Sequence, residues 1–348
     1  MIKSPLSILL LVLLTGTGAS AELAGGLLLD TSSNMLQRPD GESGTFAMLY
    51  ASYDRQVTRR VFVMYGVQGD FLEYYAGVQH HSHEFTALYD AVTGNNLNVN
   101  ATVSAELSRY GDVTRLAGYN TFSADVYAKY YITPALLMRA STIVGLKRFL
   151  DYESENCANI DGFLRFDRFF RTRTTVRLQL EGGVRRYDEL ENTPSATLVG
   201  GRLRLAQSMT NRCGMWIEAH GNDLSPPSAG ASDMTLYDRI FLDDIYKYSN
   251  RGVILSLKYL FPGKGSLQFK GSFARHDYPG DEMAAFNFLP GGGWREDEQK
   301  YSISMTYHPG VIPESLRPTY ELYFIDVDAS EQSLSYDGVG MTLSLAYR

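Results

Sequence analysis

The sequence predicts an all-β fold: a transmembrane, antiparallel, up-and-down β-barrel of about 16 strands, with short periplasmic turns and long extracellular loops. Three observations predict this fold. The chain starts with an export signal, and most of the remainder consists of long segments in which apolar and polar residues alternate. The connections between these segments alternate between short and long, as they do in outer-membrane barrels.

Residues 1–21 have the features of a secretory signal peptide. Lys3 supplies the positive charge, residues 6–14 form an apolar run interrupted only by Ser7, and Ala19-Ser20-Ala21 offers small residues for cleavage. The apolar run is too short to span a bilayer comfortably. We therefore expect cleavage after Ala21, which leaves residues 22–348 as the barrel.

The alternation has a period of two residues and marks strands with one apolar and one polar face. Val103 and Leu107, for example, alternate with Ser104 and Glu106. The predicted strands lie near residues 23–30, 44–55, 60–74, 83–91, 97–108, 120–132, 136–150, 159–170, 174–187, 196–209, 213–224, 250–261, 265–277, 299–308, 318–328 and 336–347.

The lengths of the connections indicate which end of each strand faces the periplasm. Short links are predicted at 56–59, 133–135, 171–173, 210–212 and 262–264, and long ones at 31–43, 76–82, 109–119, 225–248 and 278–298. An even strand number places both ends of the barrel on the side of the short turns, which is the periplasmic side.

Segment length separates a membrane barrel from a soluble sandwich. Sandwich strands are usually about five residues long, whereas a tilted membrane strand needs about ten. Aromatic residues also gather at the predicted strand ends, where an interfacial girdle belongs: Tyr74, Tyr75, Tyr130, Tyr131, Phe169, Phe170, Tyr259, Phe261 and Tyr347. Only a closed barrel satisfies the backbone of strands in lipid.

Composition excludes several classes of partner. The chain has a net charge of −7, which argues against nucleic acid because phosphate binding needs a basic surface. Two cysteines cannot form a disulfide scaffold. The predicted topology places Cys157 in an outer loop and Cys213 at a periplasmic end, too far apart for a bond. No cofactor is predicted.

At the level of this pattern, the chain resembles porin-like outer-membrane β-barrel proteins of Gram-negative bacteria. The resemblance implies location in the bacterial outer membrane and contact with outer-membrane lipid and lipopolysaccharide. It also implies recognition by the barrel-assembly machinery, although the aromatic residue Tyr347 is penultimate rather than last. Small solutes are the implied cargo, and a homo-oligomer is left open.

The polar faces of predicted strands seven to ten are basic and supply the candidate pore-lining residues. These are Arg139, Lys147, Arg165, Arg177, Glu181, Arg185, Arg202 and Arg204. If this face lines a lumen, it would favour anions. The alternative is that the charges pair between neighbouring strands and stiffen the wall.

Other charged clusters give weaker hypotheses. His80, His81 and His83, with the carboxylate of Glu84, are predicted to lie together in a short outer loop and are candidate metal ligands, but their spacing matches no defined site. His276 and Asp277, with acidic residues 243–244, suggest a hydrolase, but barrel proteases separate their pairs differently. The sequence therefore predicts no enzyme.

Two functions follow from these features. The first is a passive diffusion channel for small solutes with a partly basic lumen. The second is a non-channel barrel that acts as a structural, adhesive or protein-export component through its long outer loops. Those loops are acidic at residues 233–244 and 281–298, and divalent cations could bridge them to lipopolysaccharide phosphates.

Overall fold

A computed structural model describes most of the chain after the predicted signal peptide. The described residues are 21–32, 44–72, 79–110, 118–150, 156–187, 196–225, 249–263, 265–277, 298–310, 316–329 and 335–347. Within these residues, no helix is long and apolar enough to cross a membrane.

The described residues form 16 strands in one closed, antiparallel barrel. The strands are β1 (Ala21–Ser32), β2 (Gly44–Gln56), β3 (Val61–Leu72), β4 (Gln79–Thr93), β5 (Leu97–Tyr110), β6 (Tyr119–Thr133), β7 (Leu136–Phe149) and β8 (Cys157–Phe169). They continue with β9 (Thr174–Tyr187), β10 (Ala196–Ser208), β11 (Cys213–Ser225), β12 (Ser249–Leu260), β13 (Ser266–Asp277), β14 (Glu298–His308), β15 (Leu316–Ala329) and β16 (Tyr336–Tyr347).

The barrel closes where β1 pairs with β16, from Gly25 opposite Tyr347 to Ser32 opposite Gly340. Glycine is required at two inner positions near this seam, because a Cβ at Gly340 would lie 2.3 Å from the Tyr323 ring. A Cβ at Gly26 would lie 2.6 Å from the ring of Tyr50. The two tyrosines thus cover glycines on neighbouring strands, an arrangement that supports a curved sheet.

The two faces of the sheet differ in chemistry along most of each strand. Large apolar side chains stay exposed on one face, including Val103, Val126, Ile160 and Leu203. In an outer-membrane barrel this face contacts lipid, so the polar face is the inner one. At the end with short turns, aromatic rings contact one another around the outer face: Tyr259 with Phe261, Phe261 with Tyr307, and Tyr307 with Tyr320. The fold class is therefore confirmed.

Most predicted strand bounds agree with the structure within two residues, and the main error is at β4. The prediction of residues 83–91 is too short, because the strand begins at Gln79. Polar residues occupy both faces at this end, which hides the alternation, but their side chains bond across strands: His80 Nε2 lies 2.6 Å from Ser108 Oγ. Cys157 is likewise the first residue of β8 rather than part of a loop. It forms no disulfide with Cys213, as predicted.

Candidate functional site

All eight predicted pore-lining residues lie on four consecutive strands, β7 to β10. Each is separated by an odd number of positions from a strongly exposed apolar side chain of its own strand (Val144 on β7, Ile160 on β8, Leu178 on β9 and Leu203 on β10), and so lies on the opposite face. For example, Arg177 precedes the exposed Leu178, and Arg204 lies between the exposed Leu203 and Leu205. The alternation rule therefore places all eight on the inner face, and the β11 strand adds Trp216 and Glu218 beside them.

Asp167 is the centre of the largest ion-pair cluster among the described residues. It is 1% exposed, and its carboxylate is contacted by Arg139 at 2.9 Å and by Arg177 at 2.6 Å. Arg165 lies 3.7 Å from the same carboxylate. Charge-assisted hydrogen bonds between guanidinium groups and a carboxylate are shorter and stronger than bonds between neutral groups. Asp167 thus links β7, β8 and β9 in the periplasmic half of the barrel.

A second cluster continues the first onto β10 and β11. Arg204 donates to the buried carboxylate of Glu218 at 2.5 Å, and its guanidinium lies 4.2 Å from the centre of the Trp216 ring. Stacking on indole together with an ion pair fixes the plane of this guanidinium. Nearer the middle of the barrel, Arg202 pairs with Glu181 at 3.2 Å in a more exposed setting.

The register explains why carboxylates are needed among these arginines. Arg139 lies directly opposite Arg165, and Arg177 lies directly opposite Arg204. Like charges in opposed positions destabilise a sheet unless a counter-charge lies between them. Across the two clusters and the Arg202 pair, five guanidinium groups share three carboxylates, so an excess of two positive charges remains.

The two remaining basic candidates lie near the extracellular ends of their strands. Lys147 on β7 places its ammonium 4.1 Å from the centre of the Tyr119 ring and 4.7 Å from that of Phe149. Arg185 occupies the third-last position of β9. The basic side chains therefore extend from the outer end of the barrel, through Arg202, to the Asp167 cluster in the periplasmic half.

The inner face of the neighbouring strands is acidic, a feature that the sequence analysis missed. It carries Asp54 on β2, Glu84 and Asp90 on β4, Glu106 on β5 and Asp125 on β6, together with one lysine, Lys129, near the periplasmic end of β6. Hydroxyl groups satisfy two of these carboxylates, because Thr86 donates to Glu84 at 3.0 Å and Ser141 donates to Asp125. The same rule of alternation would have identified them, because each lies on the polar face of its strand.

The three histidines do not lie together in a loop, which corrects the sequence-based prediction. They occupy β4, and alternation sends His80 to the inner face and His81 and His83 to the outer face. His83 Nδ1 lies 2.6 Å from the Tyr65 hydroxyl, and His80 contacts Ser108. No group of three or more metal-ligating side chains occurs within the described residues.

The residues considered for a hydrolase are only partly described. Asp277 accepts from Arg275 at 2.6 Å at the end of β13, and His276 lies beside it on the strand. The acidic residues 243–244 lie outside the described residues, as do the acidic segments 233–238 and 281–297.

Comparisons with known proteins give a fold and no family. No protein-family model matches the chain, and no curated protein sequence does. Among solved structures, OpdO of Pseudomonas aeruginosa has a TM-score of 0.54 with 13% identity, covering 94% of this chain and 96% of that one. OpdL of Pseudomonas aeruginosa has a TM-score of 0.51 with 10% identity, covering 95% and 99%. A bacterial polysaccharide outer membrane secretin has a TM-score of 0.53 with 6% identity, covering 94% and 98%.

These similarities concern the whole barrel, since they cover nearly all of both chains. Identities this low show a shared fold alone. The chain therefore has the closed, antiparallel 16-strand fold of the outer-membrane porins, which the sequence analysis predicted.

Proposed function

We propose that this protein is a passive, water-filled channel for small solutes in the bacterial outer membrane. The observation that carries the proposal is the closed 16-strand barrel with charged side chains on its inner face. A barrel of eight strands is filled by its own side chains, whereas about 16 strands leave an aqueous lumen. OpdL and OpdO, which share this fold, are outer-membrane porins.

Within this proposal, Arg139, Lys147, Arg165, Arg177, Glu181, Arg185, Arg202 and Arg204 line the solute path. The excess of guanidinium groups over carboxylates attracts anions along β7 to β10. Diffusion requires no chemical step, so no residue is assigned a catalytic role and no cofactor is needed. The three histidines of β4 are assigned no metal.

The test is electrical. Purified protein refolded into a planar lipid bilayer should produce discrete conductance steps, and a folded barrel that produces none would contradict the proposal. Folding is checked separately by the shift in electrophoretic mobility between unheated and heated samples. Arg251, which is exposed on the outer face, supplies the control variant Arg251→Gln, which should leave conductance unchanged.

Deletion of residues 226–247 distinguishes the channel from a barrel whose outer loops carry the function. A channel keeps or raises its conductance when this segment is removed, because the barrel wall is intact. A structural, adhesive or export component would lose its partner and would show no conductance before or after the deletion.

Export is part of the same proposal. Cleavage after Ala21 would leave Glu22 as the first residue of the mature chain, close to the start of β1. The intact mass of protein purified from outer membranes would establish this cleavage site. Contact with the barrel-assembly machinery and formation of a homo-oligomer stay predictions from the resemblance.

A further inference from the structure

Two lysines of the inner face lie outside β7 to β10, the strands that supply the predicted pore-lining residues. Lys258 on β12 lies between Leu257 and Tyr259, two outer side chains that are exposed. Lys270 on β13 follows the exposed outer side chain of Phe269. Alternation therefore directs both ammonium groups into the barrel. Both lysines are exposed there, in the periplasmic half of the barrel and near the short turn between β12 and β13.

The register brings these two lysines to neighbouring positions. Lys258 is directly opposite Gln268, and Lys270 follows Gln268 by two residues on the same face. On the other side of β13, Thr306 is opposite Gln268 and Ser304 is opposite Lys270. The Cα atoms of opposed residues are about 5 Å apart, and those of residues i and i+2 on one strand are about 7 Å apart. Two lysines and two hydroxyl residues thus lie around Gln268, and we call these five residues the lysine site.

The cations of the lysine site differ from the inner cations of the neighbouring strands. Arg139, Arg177 and Arg204 contact buried carboxylates. Lys129 on β6 lies 4.9 Å from the centre of the Tyr131 ring. By contrast, neither lysine of the site forms an ion pair or a hydrogen bond with another described residue, and the same is true of its serine and threonine hydroxyl groups. Within the described part of the chain, the donors of the site are therefore available to a ligand.

The inner-face positions around the two lysines are uncharged. This holds for the residues directly opposite them on β11 to β14, and for the residues two positions before and after each of them on β12 and β13. The next carboxylate along the register is that of Glu321 on β15, opposite Thr306. Glu321 forms no ion pair with either lysine. The positive charge of the site is therefore not compensated by its described neighbours.

Two ammonium groups beside two hydroxyl groups match an anion with about two charges and several acceptor oxygens, as a phosphate group has at neutral pH. The choice of lysine favours phosphate over carboxylate. A guanidinium group forms a planar fork that binds a carboxylate with two parallel hydrogen bonds, whereas an ammonium group is a compact charge on a flexible stem. Such a charge has no planar preference and can follow the tetrahedral oxygens of a phosphate group.

We propose that the lysine site binds a phosphate group, carried either by inorganic phosphate or by a small phosphate monoester. Lys258 and Lys270 form charge-assisted hydrogen bonds with the phosphate oxygens, and Ser304 and Thr306 donate to the oxygens that remain. The role of this site in solute passage rests on the proposed channel, whereas binding itself requires no ion flow. The two can therefore be measured separately.

The test is isothermal titration calorimetry of folded protein in detergent at low salt, with inorganic phosphate and methyl phosphate as separate probes. K258Q/K270Q removes both ammonium groups and should lower the affinity for the tighter-binding probe about tenfold, because each lost contact with phosphate weakens binding. The single variants K258Q and K270Q should each lower it about threefold, which tests the site independently of the double variant. The probe that binds more tightly identifies the form that carries the phosphate group.

A second double variant, K129Q/R317Q, is the matched control. It removes two inner cations from β6 and β15 and so changes the net charge of the protein by the same amount. Neither residue belongs to the lysine site. The control should therefore bind both probes almost as tightly as the unmodified protein. Folding of every variant is checked by the electrophoretic shift between unheated and heated samples.

Three results would overturn the proposal. The first is an unchanged affinity for both probes in K258Q/K270Q. The second is an equal loss in both double variants, as expected if only net charge matters. The third is equal or tighter binding of malonate, whose two carboxylates carry a similar charge. Conductance in a planar bilayer is recorded in parallel: conductance steps without phosphate binding contradict this proposal alone, and phosphate binding without conductance steps contradicts the channel alone.

Discussion

Strands β2 to β6 and strands β7 to β11 present opposite charges on the same inner face. The first group carries Asp54, Glu84, Asp90, Glu106 and Asp125, and we call it the acidic wall. The second carries the arginine clusters and is the basic wall. If the protein forms the proposed channel, its preference between anions and cations depends on the difference in charge between the two walls.

The two walls also compensate their charges by different means. Carboxylates of the acidic wall accept from neutral hydroxyl groups, as Glu84 does from Thr86. A guanidinium group has donors only, so the basic wall needs acceptors, and it obtains them from the buried carboxylates of Asp167 and Glu218. The comparison teaches that the basic wall depends on a few buried carboxylates for its stability, whereas two carboxylates of the acidic wall, Glu84 and Asp125, accept from neutral hydroxyl groups.

Asp167→Asn should have the largest effect on stability. It leaves Arg139, Arg165 and Arg177 close together without their counter-charge, and removal of one partner from a buried ion pair costs about 3 kcal/mol. The measurement is denaturant unfolding of the barrel in lipid vesicles. Glu181→Gln is the control, because its partner Arg202 is 44% exposed and such pairs contribute about 0–1 kcal/mol. Equal losses in the two variants would contradict the comparison.

Glu218→Gln should have the second-largest effect on stability. Glu218 is buried but compensates one guanidinium group, that of Arg204, which also stacks on Trp216. We expect a loss of about 2 kcal/mol in the free energy of unfolding, less than for Asp167→Asn. Unfolding under the same conditions gives the ranking. A loss larger than that of Asp167→Asn would show that burial, and not the number of arginines, determines the cost.

The sequence was sufficient to predict the faces of the strands but not the partners of the charges. The alternation at Val176 to Glu181 predicts both the β9 strand and the inner position of Arg177. It does not predict that Asp167 lies opposite Arg177, because that depends on the register between β8 and β9. The first residues of β4 were missed because His80 and His81 place polar side chains on opposite faces of the strand. This end of the strand therefore shows no alternation between apolar and polar residues.

Glu106→Gln should increase stability slightly. Glu106 lies directly opposite Glu84 on the acidic wall, and opposed like charges are destabilising by about 0.5 kcal/mol. The free energy of unfolding should therefore rise by about this amount. Asp90→Asn is the matched control on β4, because Asp90 lies opposite the uncharged Asn100 and should show no gain. A loss of stability in Glu106→Gln would show that this carboxylate is compensated as the arginines are.

The smallest expected effect is on the preference between anions and cations. Reversal potentials measured in a salt gradient report this preference and so compare the two walls directly. Arg202→Gln removes one exposed cation from the basic wall, and Glu84→Gln removes one exposed carboxylate from the acidic wall. Because each wall attracts its counter-ion, the first variant should lower the anion-to-cation permeability ratio about twofold and the second should raise it by a similar factor. Both shifts should shrink at high salt, where screening is strong. Shifts in the same direction would show that ions do not pass between the two walls.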